Sequence, residues 1–147
     1  MSTDRPVLIG WKDYADLPEW HLRRIRFKVD TGARSSVLDV ASYELVQVPG
    51  QGLVARLRIA RSRKHPERLT VIEAPVLGVV AVRNSGGMCE QRPVLETTVC
   101  IGPVCKRIRL TVTNRAGMRF RMILGRKALE GDFVVDVSKK YLLRRRD

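Results

Sequence analysis

Apolar and polar residues alternate along much of this chain, and the period is two. The clearest runs cover residues 22–29, 53–59, 69–72, 76–82, 93–101 and 107–112. Alternation of this kind predicts strands with one buried face. The Val and Ile that fill the runs suit a pleated, half-buried surface. Turn signals separate them: Pro49-Gly50-Gln51-Gly52, His65-Pro66, Asn84-Ser85-Gly86-Gly87 and Gly102-Pro103. Several short strands at this spacing predict an all-β fold, a sandwich or a barrel. Gly125-Arg126-Lys127-Ala128-Leu129-Glu130 reads as a helix of one or two turns, closed by Gly131, and residues 37–45 are a less regular second candidate. Residues 132–137 read as a further strand, and 144–147 as a solvated end.

Length adds that the 147 residues fit one domain with its own core. No apolar run reaches the roughly 18 residues of a membrane span. Met1-Ser2-Thr3-Asp4-Arg5-Pro6 lacks the charged-then-apolar pattern of a secretory signal, so the expected location is cytoplasmic. Charge changes the picture more. Lys and Arg number 28 against 15 Asp and Glu, a net +13. Arginines cluster in Arg23-Arg24-Ile25-Arg26, Arg61-Ser62-Arg63-Lys64, Arg119-Phe120-Arg121 and Arg144-Arg145-Arg146. Such a field favours polyanions: nucleic acid, ribosomes or acidic peptide segments.

The three cysteines, Cys89, Cys100 and Cys105, are an odd count, which argues against a disulfide framework. Cys100 and Cys105 flank the Gly102-Pro103 turn, so their thiols can approach across a hairpin. With His21 and His65 as the remaining soft ligands, the spacings match no metal-site pattern, and no metal is expected. A phosphate-binding Gly-x-x-x-x-Gly-Lys-Ser/Thr loop is absent, and no cofactor is expected.

The candidate chemistry lies in Phe27-Lys28-Val29-Asp30-Thr31-Gly32-Ala33-Arg34-Ser35-Ser36, where an alternating apolar strand runs into Asp30-Thr31-Gly32. Aspartic-protease chemistry needs a carboxylate in this setting, a hydroxyl to tie neighbouring loops, and a glycine where backbone must approach closely. Two such carboxylates share one proton across a bound water. One acts as base on the water and the other donates a proton to the scissile carbonyl. The tripeptide occurs once, so this chemistry requires a homodimer. The competing reading is an ordinary Asx turn at a strand end. Two further features bear on the choice: Met122-Ile123-Leu124-Gly125-Arg126 late in the chain, and a glycine-rich hairpin around Ser85-Gly86-Gly87 that suits a flap over a cleft.

In this order these features resemble the retropepsin-like aspartic proteases. Ile9-Gly10-Trp11, Lys28 to Ser36, Glu73-Ala74-Pro75-Val76, Thr113-Asn114-Arg115, Met118-Arg119-Phe120 and Ile123 to Leu129 are similar to a bacterial branch. That branch is called RimB-like, is often labelled "ATP-dependent zinc protease", and is associated with RimK-type ligases that add glutamates. The resemblance spans about residues 9–143. It implies a small closed β-barrel of the retropepsin type with one short helix near Arg126, and peptide-bond hydrolysis by an activated water. It implies that Asp30 carries the chemistry, that Thr31 and Gly32 position it, and that Ala33, Arg34, Ser85, Gly86, Gly87 and Arg126 meet substrate. Retroviral members carry an Asp where this chain has Arg34. Arg34 and Arg126 are therefore expected to form a cationic subsite for a substrate carboxylate, unless Asp39, Asp132 or Asp136 neutralises them. The implied substrates are acidic or glutamate-tailed proteins, including a glutamylated ribosomal protein. The alternatives are a non-catalytic basic module that holds acidic peptide or ribosomal RNA, and an enzyme inactive until it is assembled.

Trp11 and Trp20 read as packing anchors, and His21 and His65 as surface residues. Phe120 and Met122 alternate with Arg119 and Arg121 as in a strand with one buried face. Ser35 and Ser36 lack the base a nucleophile needs.

Overall fold

The computed structural model describes residues 5–83, 86–114 and 119–143. Ser85, Arg115, Met118 and the 144–147 end lie outside the described residues. The strands in chain order are β1 (Val7–Gly10), β2 (Lys12–Leu17), β3 (Leu22–Val29), β4 (Ser36–Asp39), β5 (Ser42–Val48), β6 (Gly52–Ala60), β7 (Leu69–Pro75), β8 (Gly78–Arg83), β9 (Cys89–Ile101), β10 (Val104–Thr113), β11 (Met122–Leu124) and β12 (Phe133–Asp136). A 3-10 turn, Pro18–Trp20, joins β2 to β3, and one helical turn, α1 (Arg126–Leu129), follows β11.

Six strands close a barrel. Their order is β10-β4-β11-β3-β2-β9, and β9 pairs back onto β10 through the Gly102-Pro103 hairpin. Closure leaves no unpaired edge around the ring. Its inner face carries Leu22, Ile25, Phe27, Leu38, Leu95, Val99, Leu110, Val112, Met122 and Leu124, all buried. This is the alternation of 22–29, 93–101 and 107–112 turned inward. β8 continues past the ring as an antiparallel partner of β9, and a three-stranded sheet, β5-β6-β7, adds Ala55, Leu57, Ile59 and Ala74 to the same core.

The first and last strands come together. β1 and β12 form a parallel pair. Residues 139–143 then cross the start of β2 so closely that a Cβ at Gly10 would sit 2.6 Å from the Lys140 Cα. Asp13, fully buried, fixes this crossing, because its carboxylate accepts backbone N–H bonds from Gly10, Tyr14, Leu142 and Leu143. Four donors on one buried carboxylate replace the water it has lost.

Several sequence readings change. Residues 37–45 form parts of β4 and β5, not a helix, because β4 pairs with both β10 and β11 and β5 pairs with β6 along its length. Cys100 and Cys105 are joined in a disulfide, directly opposite each other on β9 and β10, while Cys89 is free and exposed. The odd cysteine count hid one bridge and one spare thiol. Arg121 is buried like Phe120 and Met122, with its guanidinium donating to the Ala60 carbonyl at 2.6 Å and the Arg61 carbonyl at 3.5 Å. Trp20 is buried, Trp11 is half-buried with the Lys12 ammonium 4.9 Å from its ring, and both histidines are exposed.

Candidate active site

β3 delivers Asp30 to the barrel rim. The end of that strand is held from two sides: the Val29 amide donates to the Trp11 carbonyl, and the Asp30 amide donates to the Leu124 carbonyl at 2.9 Å. The loop then turns on itself. The Gly32 amide donates to Asp30 Oδ1 at 3.0 Å, and the Ala33 amide to the Asp30 carbonyl. The Asx turn of the competing reading is therefore present. What surrounds it is more than a turn requires.

The loop is clamped to the β11–α1 junction by four hydrogen bonds. The Arg126 amide donates to the Ala33 carbonyl at 2.8 Å and the Lys127 amide to the Arg34 carbonyl at 3.1 Å. The Gly125 amide donates to the buried Ser36 hydroxyl, and the Arg126 guanidinium to the Thr31 carbonyl at 2.8 Å. Gly125 has to be glycine here, since a Cβ would sit 2.5 Å from the Ser35 carbonyl oxygen. The two segments singled out in the sequence, 93 residues apart from Gly32 to Gly125, are thus one structural unit.

This unit opens on a groove of about 680 Å³, floored by Asp30, Ala33, Arg34, Ser35 and Val37 and walled by Val80, Ala81, Val82 and Arg83 of the β8–β9 hairpin. Asp30 is the one carboxylate among its described lining residues, and it is exposed. Among the described residues the Thr31 hydroxyl makes no hydrogen bond within the chain.

The groove carries three cations: Arg34, Arg83 and Arg92. Arg34 has no ion pair among the described residues. Arg92 is 6% exposed and pairs with Glu90 at 3.0 Å, yet its Nε has no partner. Glu90 in turn accepts from Thr113 at 3.5 Å, and its charge adds to burial in pushing the Tyr43 hydroxyl pKa up.

Of the sequence-predicted residues, the structure brings Asp30, Thr31, Gly32, Ala33, Arg34 and Arg126 together. Arg126 clamps the loop through Thr31, and it is not among the groove's lining residues. The acids considered as its neutralisers are engaged elsewhere: Asp39 with Arg63, Asp132 with Lys106, Asp136 with Ser138. Gly86 and Gly87 sit in the connection between β8 and β9, Gly87 with a left-handed φ of 83°, and neither lines the groove. Ser85 lies outside the described residues. Sequence reasoning missed Arg83 and Arg92, whose only signal was their place flanking the glycine-rich turn.

Residues 8–146 match the family described as "Retropepsin-like aspartic endopeptidase RimB". A probable alpha-L-glutamate ligase of Parasynechococcus marenigrum (strain WH8102) is 36% identical over 144 residues, 95% of this chain and 30% of that protein. Another, of Desulfotalea psychrophila, is 31% identical over 134 residues, 88% of this chain and 28% of that protein. The chain thus spans less than a third of the length of these relatives. The crystal structure of a Legionella pneumophila protein of unknown function superposes with a TM-score of 0.76, covering 95% of this chain and all of that one at 20% identity, which establishes a shared fold. With the match running through the Asp30 loop, the hairpin and the Gly125–Arg126 junction alike, this chain belongs to the RimB-like family of retropepsin-like aspartic endopeptidases.

Proposed function

We propose that this protein is an aspartic peptidase whose site is completed by two-fold pairing of two chains, and that it cleaves acidic, glutamate-rich protein segments. The observation that carries this reading is the cross-braced Asp30 loop. It holds one exposed carboxylate over a large groove with no second acid among the described lining residues. One chain then supplies half of a proton-sharing pair, and a two-fold axis past Asp30 supplies the other half.

In that pair the two carboxylates cannot both ionise at short range, so one keeps a proton. The ionised Asp30 takes a proton from a water as the water oxygen attacks the scissile carbonyl. The protonated Asp30 gives its proton to the carbonyl oxygen. Collapse of the tetrahedral diol breaks the C–N bond, and the amine leaves with a proton from the pair. The titration belongs to the dyad and not to either residue. The unbonded Thr31 hydroxyl is available to bridge the two loops across the axis.

The acidic preference rests on Arg34, Arg83 and Arg92 facing a single carboxylate. Arg92 is buried and already paired with Glu90, so Arg34 and Arg83 are the cations placed to meet a substrate carboxylate. The relatives that contain a matching segment are named for ligating glutamate, and a peptidase that acts on glutamate-tailed proteins, such as a glutamylated ribosomal protein, fits beside that activity.

The test is mass spectrometry of glutamate-tailed and neutral protein substrates incubated with wild-type and Asp30→Asn protein across pH. Cleavage is expected in the wild type and at least about a thousandfold less in the variant, since the activating base is gone. Cleavage that survives the substitution would overturn the aspartic mechanism. Arg34→Ala is expected to lower kcat/KM for the acidic substrate about tenfold or more relative to the neutral one; an unchanged ratio would remove Arg34 from substrate recognition.

A further inference from the structure

A second groove, of about 390 Å³, shares no lining residue with the Asp30 groove. Eight of its ten described lining residues are Arg or Lys, and none is acidic. They come from three separate segments: Arg23, Arg24 and Arg26 on β3, Arg61, Arg63 and Lys64 after β6, and Arg119 and Arg121 before β11. Arg23, Lys64 and Arg119 have no acidic partner among the described residues. Arg63 has Asp39 at 3.7 Å.

The backbone is shaped to present these charges. β2 and β3 pair in register to Ala15↔Ile25 and then shift to Leu17↔Leu22, so two residues of β3 oppose one of β2. The extra residue makes a bulge that turns both Arg23 and Arg24 to solvent, where strict alternation exposes one of two. Arg24 holds the bulge with a left-handed φ of 53°, and its amide donates to Asp16 at 2.7 Å. A non-glycine residue adopts that conformation at a cost. Like charge is crowded here: burial pushes the Arg121 guanidinium pKa down and the charge of Arg63 pushes it down further, with Asp39 opposing.

We infer that this groove binds the phosphodiester backbone of a nucleic acid, single-stranded RNA in the first instance. Guanidinium forks pair bidentately with phosphate oxygens. The groove offers almost only charged donors, since Ile25, its one apolar lining residue, is buried. Arginine clusters also take acidic peptide motifs, but this groove has no exposed apolar lining residue for a peptide side chain, whereas backbone phosphates need only a donor surface that reads no sequence.

The experiment is fluorescence anisotropy of a labelled single-stranded RNA of about 20 nucleotides, with poly-glutamate as competitor, across a salt series. Three full-length variants are compared with wild type: R23A/R26A/R119A in the groove, R109A/K127A/K140A outside both grooves with the same charge removed, and R23K/R26K/R119K. The groove variant is expected to bind about tenfold or more weakly at about 50 mM salt, with the salt slope reduced by about 2. The control triple is expected to lose less than about threefold, and the lysine triple to keep the slope. Equal losses in the two alanine triples, a salt slope reduced in the lysine triple as much as in the alanine triple, no binding by the wild type, or displacement of RNA by a lower concentration of poly-glutamate would each overturn the inference. The last result would reassign the groove to acidic protein.

Discussion

A single absent side chain at position 125 lets the Asp30 loop lie against the β11–α1 junction. Any Cβ there meets the Ser35 carbonyl oxygen at 2.5 Å and the Arg34 carbonyl carbon at 2.8 Å, both backbone atoms that cannot rotate away. Gly125→Ala is expected to destabilise the protein by about 2–3 kcal/mol, the usual cost of overpacking, measured by denaturant unfolding. The same variant is expected to lose the Gly125–Ser36 hydrogen bond and with it the setting of Asp30. A variant as stable as wild type would show that the two segments do not need this approach. At this scale the sequence was partly legible. Asp30-Thr31-Gly32 and Leu124-Gly125-Arg126 are visible as local patterns. Arg83 and Arg92 are not, because what distinguishes them is the groove that β8 and β9 wall.

At the scale of elements, the β1–β12 pair shows how the first and last strands are secured. Asp136 closes β12, and its carboxylate accepts bonds from the Ser138 hydroxyl at 2.7 Å and the Ser138 amide at 2.9 Å. The hydroxyl first, then the amide, hold its pKa below the ordinary value of 3.8. A pKa depressed on folding gives stability that is present above 3.8 and is lost as pH falls through the lower folded value. Ser138→Ala is therefore expected to melt slightly below wild type at neutral pH, the two curves converging as pH falls below 3.8. A gap that stays constant with pH would mean that the serine acts without the carboxylate. Element boundaries were legible for β3, read as 22–29, and within one residue for β6, whereas β10 begins three residues before the alternating run at 107–112. β2 was missed because the inward position Asp13 is a carboxylate, and a charged residue on the buried face breaks the apolar pattern. The stretch over 37–45 was ambiguous because β5 has no strongly buried face, so its identity comes from pairing with β6.

At the scale of the whole molecule, the barrel gives one chain one Asp30, and the peptidase reading therefore makes activity a property of the pair. Specific activity is expected to fall on dilution once the dimer dissociates. Mixing wild type with equimolar Asp30→Asn protein, with time for exchange, is expected to reduce the wild-type activity to about half, since half of the wild-type chains then sit in mixed dimers. Activity that is linear in enzyme down to the lowest concentration, and untouched by the variant, would make the active unit a monomer. The assembled barrel also carries two arginine-lined grooves, one at Asp30 and one at β3 and the Arg61–Lys64 turn.

The sequence by itself determined the all-β class, the inward faces of the long strands and the helical turn at Arg126, and it singled out Asp30 as the candidate carboxylate. Each of these rests on local periodicity or on residue types a few positions apart. Tertiary structure alone decided that Gly125 meets the Arg34–Ser35 backbone, that Arg126 holds the Thr31 carbonyl, that Asp13 ties Leu142 and Leu143 to Gly10, and that arginines from three segments share one groove. Those outcomes depend on strands closing a ring, and ring closure brings together residues whose separation along the chain carries no periodic signal.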